Sequence, residues 1–159
     1  MKVLIAGVVL MLAGHTTVSA DPADSRFEIV DDGAVVLDHQ TGLYWARCSV
    51  GQNLVDNFCA GLANRYTWDQ ANALESDLAG NSDWRLPTVE ELRTLVEYRV
   101  FNPAIDPAAF PNTPPSNFWS SSEAAYDAFY AWTVHFANGF SNWRHKRQRF
   151  EVRLVRDGD

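Results

Sequence analysis

The residues able to do chemistry fall into a few small groups. Cys48 and Cys59 are the two cysteines of the 159-residue chain. They lack a CxxC or zinc-type spacing, so a metal role has no support. Ser120, Ser121 and Ser122 offer hydroxyls, with His135 and an aspartate as conceivable partners of a nucleophile. No G-x-S-x-G elbow surrounds them, and serines in a strand usually bond to nearby backbone. Glu90 and Glu91 are adjacent carboxylates, a placement that the first turn of a helix favours through its dipole. His39, His135 and His145 have no paired spacing. Asp31, Asp32 and Asp38 could gather a hard cation, but turns use aspartate for backbone reasons alone. No catalytic residue, metal site or cofactor is expected.

The C-terminal third offers more. Tyr126, Phe140, Asn142, Trp143, Arg144, His145 and Lys146 bring together the residue types found at binding hot spots. Aromatic faces stack on sugars, and Arg and Lys pair with sulfate or carboxylate groups. A plain solvated hairpin is the competing reading, and Phe140 and Trp143 also suit a core. The charge is uneven. Net charge is −7, yet Arg144, Lys146, Arg147, Arg149, Arg153 and Arg156 crowd into one short stretch. An acidic total argues against a nucleic-acid partner and leaves room for a local anion-binding stripe.

These residues need positioning elements. The central stretch is Asp83 to Tyr98. Pro87 keeps Leu86 out of the α region, so Trp84 to Leu86 should run extended. Thr88 and Glu91 form a capping box, and Val89, Leu92, Leu95 and Val96 share one helical face. Trp84 and Leu86 should then anchor one side of a core while the helix covers another. Arg85 reads as a structural donor tying strand to helix start, with five donors in a fixed fork. Trp84, Arg85, Pro87 and Thr88 are thus structural residues. Thr67 and Gln70 repeat the capping box, and Trp68, Ala71, Leu74 and Leu78 predict a helix stopping at Gly80.

Upstream, strands are expected over 27–30, 34–37 and 43–48, forming an antiparallel meander. The stretch 48–66 reads as irregular. Five prolines between Phe101 and Ser116 make a long loop, functional or fastened to the surface. Tyr130, Trp132, Val134 and Phe136 alternate with smaller residues, which predicts a strand with Trp132 buried. Asn138-Gly139 predicts a hairpin turn, with a return strand from Phe140 to Arg144. A last strand should carry Phe150, Val152 and Leu154 inward. Strands, two helices and strands again make one α+β domain.

Four motifs occur in order: Thr41-Gly42-Leu43-Tyr44-Trp45, Trp84-Arg85-Leu86-Pro87-Thr88, Phe118-Trp119-Ser120-Ser121-Ser122 and Val152-Arg153-Leu154-Val155-Arg156. The set resembles the bacterial domain family typified by the C-terminal domain of the Legionella collagen-like adhesin, Lcl, over roughly 27–156. The resemblance implies a C-type-lectin-like fold, related to the formylglycine-generating enzyme, with the first and last strands paired. It also places the ligand face in the segment before the last strand. The Lcl domain binds sulfated glycosaminoglycans as a trimer; this chain has no collagen-like repeat, so trimerisation does not carry over. The formylglycine-generating chemistry needs late cysteines, absent after Cys59. Lectin calcium signatures of the Glu-Pro-Asn and Trp-Asn-Asp types are also missing, since Asn102-Pro103 and Asn142-Trp143 match neither.

Lys2, the apolar run Val3 to Leu12 and Val18-Ser19-Ala20 read as a cleavable export signal over 1–20, leaving a single domain over 21–159. The apolar run is too short for an ordinary membrane span, although an uncut N-terminal anchor is the alternative. Export to the periplasm or beyond favours a Cys48–Cys59 bridge. The sequence therefore points to a secreted or periplasmic, non-catalytic binding module. Its expected partner is a glycan, anionic ones included, or an exposed protein surface. An enzyme on the formylglycine-generating scaffold and a structural envelope or fimbria-associated protein are the alternatives.

Overall fold

A computed structural model describes residues 25–158, and the expected export signal lies outside them. Strands β1 (Phe27–Val30), β2 (Val35–Asp38) and β3 (Leu43–Ala46) form the predicted meander. A 3₁₀ turn, Asp31–Gly33, joins the first two. Asp38 shapes the next turn. Its fully buried carboxylate accepts from the Gln40 amide (3.0 Å), the Thr41 hydroxyl (3.0 Å) and both forks of Arg26 (2.9 and 2.6 Å).

The stretch 48–66 is less irregular than its composition suggests. Cys48 and Cys59 are bridged. Between them β4 (Asn53–Val55) turns through Asp56 and Asn57, both at positive φ, into β5 (Phe58–Ala60). Two left-handed residues in succession are what a tight hairpin with twisted strands requires.

Both helices begin where the capping boxes place them. In α1 (Trp68–Asn72) and α2 (Val89–Thr94) the Thr67 and Thr88 hydroxyls accept from the third helical amide, and Gln70 and Glu91 reach back to the cap amide. Both helices are shorter than their apolar patterns predict. The first stops at Asn72 rather than Gly80. The Leu78 amide pairs with the Asn81 carbonyl, and the Leu78 carbonyl accepts from Trp84 Nε1 at 3.0 Å, so Leu78 is drawn out of any helix.

The remaining strands are β6 (Asn117–Glu123), β7 (Tyr130–His135), β8 (Phe140–His145) and β9 (Val155–Arg156). The first three form a sheet in that order, with β8 at its edge. The expected pairing of first and last strands is corrected: β9 pairs with β3, giving the order β1-β2-β3-β9. The short turn commits β1 to β2, and the free edge of β3 remains open for β9. Arg85 then exchanges both main-chain hydrogen bonds with Val155 (2.8 and 3.0 Å), so the central stretch joins the far side of β9. The two ends of the described stretch still meet one turn, because Arg26 binds Asp38 and Gly158 lies against the Gly42 carbonyl. The predicted strand through Phe150, Val152 and Leu154 is also revised. Phe150 and Glu151 make only isolated bridges, and every residue from Glu151 to Arg156 is buried.

Apolar side chains form two core clusters. Val89, Leu92, Leu95 and Val96 enter one with Trp45, Phe110, Phe118 and Phe136. Trp84 and Leu86 enter the other with Val35, Trp119 and Leu154. The central stretch thus serves both sides, as its sequence predicts. It is locked by Arg85, whose guanidinium donates to both Glu91 oxygens (2.9 and 2.8 Å) and to Asp157 (2.7 Å).

Two expectations follow. Thr88→Ala should lower unfolding free energy by about 1 kcal/mol in urea denaturation, and an unchanged midpoint would place the helix start elsewhere. Acid should also weaken the fold. The Arg85 hydrogen bonds hold Glu91 below its ordinary 4.5, outweighing burial. At Asp38 burial pushes upward, but Arg26 and the Gln40 amide together bring it below 3.8. Both folded values are depressed, so their contribution is complete above about pH 4.5 and is lost as pH falls through the folded values. Glu91→Gln should reduce stability at pH 6 and flatten its loss between pH 5 and pH 2; a variant as acid-sensitive as wild type would contradict this.

Candidate functional site: the aromatic end of the C-terminal hairpin

The β7–β8 hairpin sorts its side chains by strand parity. Its register pairs Tyr130 with His145, Trp132 with Trp143 and His135 with Phe140. The loop is therefore four residues long, 136–139, rather than the two-residue Asn138-Gly139 turn. Phe136 is buried in the core and draws the loop inward. Gly139 sits at φ 76°, and a Cβ there would collide with Val96 Cγ1 just beyond α2, so the position requires glycine.

One face of the hairpin end carries a ring cluster. Tyr126 and Tyr130 each lie 6.2 Å from Trp143. His145 lies 5.3 Å from Tyr130 and stacks on Phe129 at 6.2 Å with the planes 9° apart. The Arg147 amide donates to His145 Nδ1 (3.2 Å), which leaves Nε2 as the outward nitrogen. Tyr126 is 86% exposed, Phe129 65% and Trp143 50%. Behind them Trp132 is half-buried against the first core cluster, rather than fully buried as its alternation predicts.

The seven residues singled out by sequence do not share one surface. Tyr126, Trp143 and His145 meet on the ring-cluster face. Phe140, Asn142 and Arg144 alternate onto the opposite face of β8, where Phe140 is exposed. The Asn142 carbonyl accepts from the buried Thr133 hydroxyl at 2.9 Å. Lys146 is engaged elsewhere: its Nζ lies 3.9 Å over the Trp68 ring and 2.8 Å from Glu123. Phe129 and Tyr130 complete the cluster. Both stand near Tyr126 in the sequence, and the fold sets Phe129 against a histidine sixteen positions away.

The basic stripe dissolves in the same way. Arg153 and Arg156 are buried. Arg149 donates to Gln70 Oε1 (3.1 Å) and to the Arg65 carbonyl (3.5 Å). The serine run is occupied by the fold: Ser120 Oγ donates to the Trp132 carbonyl, Ser121 Oγ donates to the Pro87 carbonyl, and Ser122 Oγ accepts from the Val89 amide. His135 Nδ1 accepts from the Ala137 amide. Among the described residues, no group of three or more His, Cys, Asp or Glu could hold a metal ion, and no helix is long and apolar enough to cross a membrane.

Fold and face together define a disulfide-stapled α+β domain that presents clustered rings at one hairpin end. The family model of the Lcl C-terminal domain matches residues 34–156, and the chain belongs to that family. No curated protein matches the chain significantly.

Lys146→Ala removes a cation–π contact and an ion pair rather than a free ligand donor. The variant should lose about 1 kcal/mol of stability in chemical denaturation. An unchanged midpoint would return Lys146 to the pool of free surface cations.

Proposed function

We propose that this domain is a non-catalytic, adhesin-like binding module that recognises glycans outside the cytoplasm through the ring cluster at the hairpin end. The observation that carries this reading is the exposure of Tyr126, Phe129 and Trp143 beside Tyr130 and His145. Apolar rings left in water on a monomer mark a place where something binds. Tyr and Trp offer large rigid faces with few rotatable bonds, so little conformational entropy is lost on contact. A pyranose presents an apolar C–H face to such rings and hydroxyls to their rims. His145 Nε2 supplies a hydrogen-bonding group at one end of the cluster. The disulfide and the family membership support a site of action in the periplasm or beyond.

The serines, His135 and Arg85 all satisfy structural partners, which supports a binding rather than a catalytic role. Arg144 lies on the opposite hairpin face, and its side chain makes no hydrogen bond or ion pair among the described residues. It would add an anionic preference only for a ligand that wraps the edge of β8.

A glycan array should retain the wild-type domain. Trp143→Ala should weaken binding to the retained glycans by about 2 kcal/mol in titration calorimetry. Its half-exposed position predicts a stability loss well below the roughly 3–5 kcal/mol of a core aromatic. An array that retains nothing, or a Trp143→Ala variant that binds like wild type, would overturn the reading.

A further inference from the structure

A cavity of about 240 Å³ opens on another part of the molecule, beside the disulfide loop. Its apolar walls come from Val50, Leu54, Leu74, Leu78 and Leu154. The polar groups on the disulfide side are already occupied. Gln52 Oε1 accepts from the Ser49 amide, and Gln52 Nε2 donates to the carbonyls of Cys59, Gly61 and Asn112. Ser49 Oγ accepts from Arg153. With Gln52 engaged and Ser49 buried, this side of the cavity presents a guest mainly with its apolar walls.

The opposite wall differs. It is the segment in which α1 was expected to continue and does not. Leu74 and Leu78 turn toward the cavity, while Glu75 and Ser76 stand on its rim. Among the described residues, Glu75, Ser76 and Asp77 make no hydrogen bond or ion pair through main chain or side chain. One wall is therefore covalently stapled, and the other is a strap fastened only at its two leucines. Small-molecule sites combine an apolar body with a few unspent polar groups. Here the unspent groups are one carboxylate and one hydroxyl at the mouth.

We propose that this cavity is a second binding site, independent of the ring cluster, for a small molecule with an apolar body and a cationic head. The body lies among Leu54, Leu74, Leu78 and Leu154, and the ammonium meets Glu75 at the rim. The carboxylate selects cations, and the engaged Gln52 and the buried Ser49 offer little polar contact of the kind a more hydrophilic guest would need.

The test uses methyl NMR on the disulfide-bonded chain, with 2-phenylethylamine and its neutral analogue 2-phenylethanol as probes. Both should shift the methyl resonances of Leu54, Leu74, Leu78 and Leu154. The amine should bind about two- to fivefold more tightly, the range set by an exposed ion pair. Glu75→Gln should erase that preference and leave the affinity for the alcohol unchanged, and Trp143→Ala should alter neither. The proposal is overturned if neither probe moves these methyls at millimolar concentration, or if the alcohol matches the amine in the wild-type chain.

Discussion

The guanidinium of Arg153 is the contact on which the rest of the structure leans. It is fully buried, and burial pushes it down to about 9, which still leaves it charged at neutral pH. No carboxylate pairs with it among the described residues. Its partners are the carbonyls of Ala46 (2.7 Å) and Arg47, the hydroxyls of Ser49 (3.4 Å) and Thr113 (2.8 Å), and the face of Phe110 at 4.8 Å. A buried charge is costly unless its donors are engaged, so these acceptors must be held in place. They come from the end of β3, the start of the disulfide loop and the proline-rich loop. One side chain therefore fixes where three irregular segments meet.

Arg47 extends the same device. Its buried guanidinium donates to the carbonyls of Gly33, Ala108 and Ala109 and to Asn57 Oδ1. Its own carbonyl accepts from Arg153, so the two arginines form a chain through the middle of the fold. Proline-rich segments cannot supply a regular ladder of amides, and their carbonyls need donors from elsewhere. Arg47 donates to the Ala108 and Ala109 carbonyls, Gln52 to the Asn112 carbonyl, and Arg153 to the Thr113 hydroxyl. Residues 101–116 are thus fastened to the body of the domain, and the loop backs the first core cluster through Ile105, Ala109 and Phe110.

What the sequence revealed and what it hid divide along the range of the interactions involved. The capping boxes at Thr67 and Thr88 and the junction at Trp84–Leu86 rest on neighbours a few residues apart, and each is found in the fold. The cysteine pair also formed, because two cysteines leave one partner choice. The extent of α1 was not legible, since the Trp84 indole holds the Leu78 carbonyl outside any helix from twelve positions beyond Asn72, the last residue of α1. The basic residues near the C-terminus were the least legible. Alternation with Phe150, Val152 and Leu154 places Arg153 outward in an ordinary amphipathic strand. The segment instead runs between both core clusters, and the charged side chains find buried acceptors that no local pattern reveals. In the candidate site, residue types pointed to the hairpin whose end carries the ring cluster. Parity then separated Trp143 and His145 from Asn142 and Arg144, and the register set Tyr130 against His145.

The exposure of the ring cluster follows from the order of strands rather than from composition. Trp132 and Trp143 are cross-strand partners with the same type of side chain. Trp132 lies on the central strand, where the sheet face meets the first core cluster, and it is half-covered. Trp143 lies on β8, and among the described residues no further strand pairs beyond that edge. The segment 124–129, which could have closed over it, instead makes a turn held by Asp127, whose carboxylate accepts from the Phe129 amide at 2.9 Å. That turn presents Tyr126 and Phe129 beside Trp143 and His145 instead of burying them. Covering these rings would require either another strand on β8 or a differently folded β6–β7 connection. The described residues supply neither, so among them the face stays open while its supporting strand is anchored in the core.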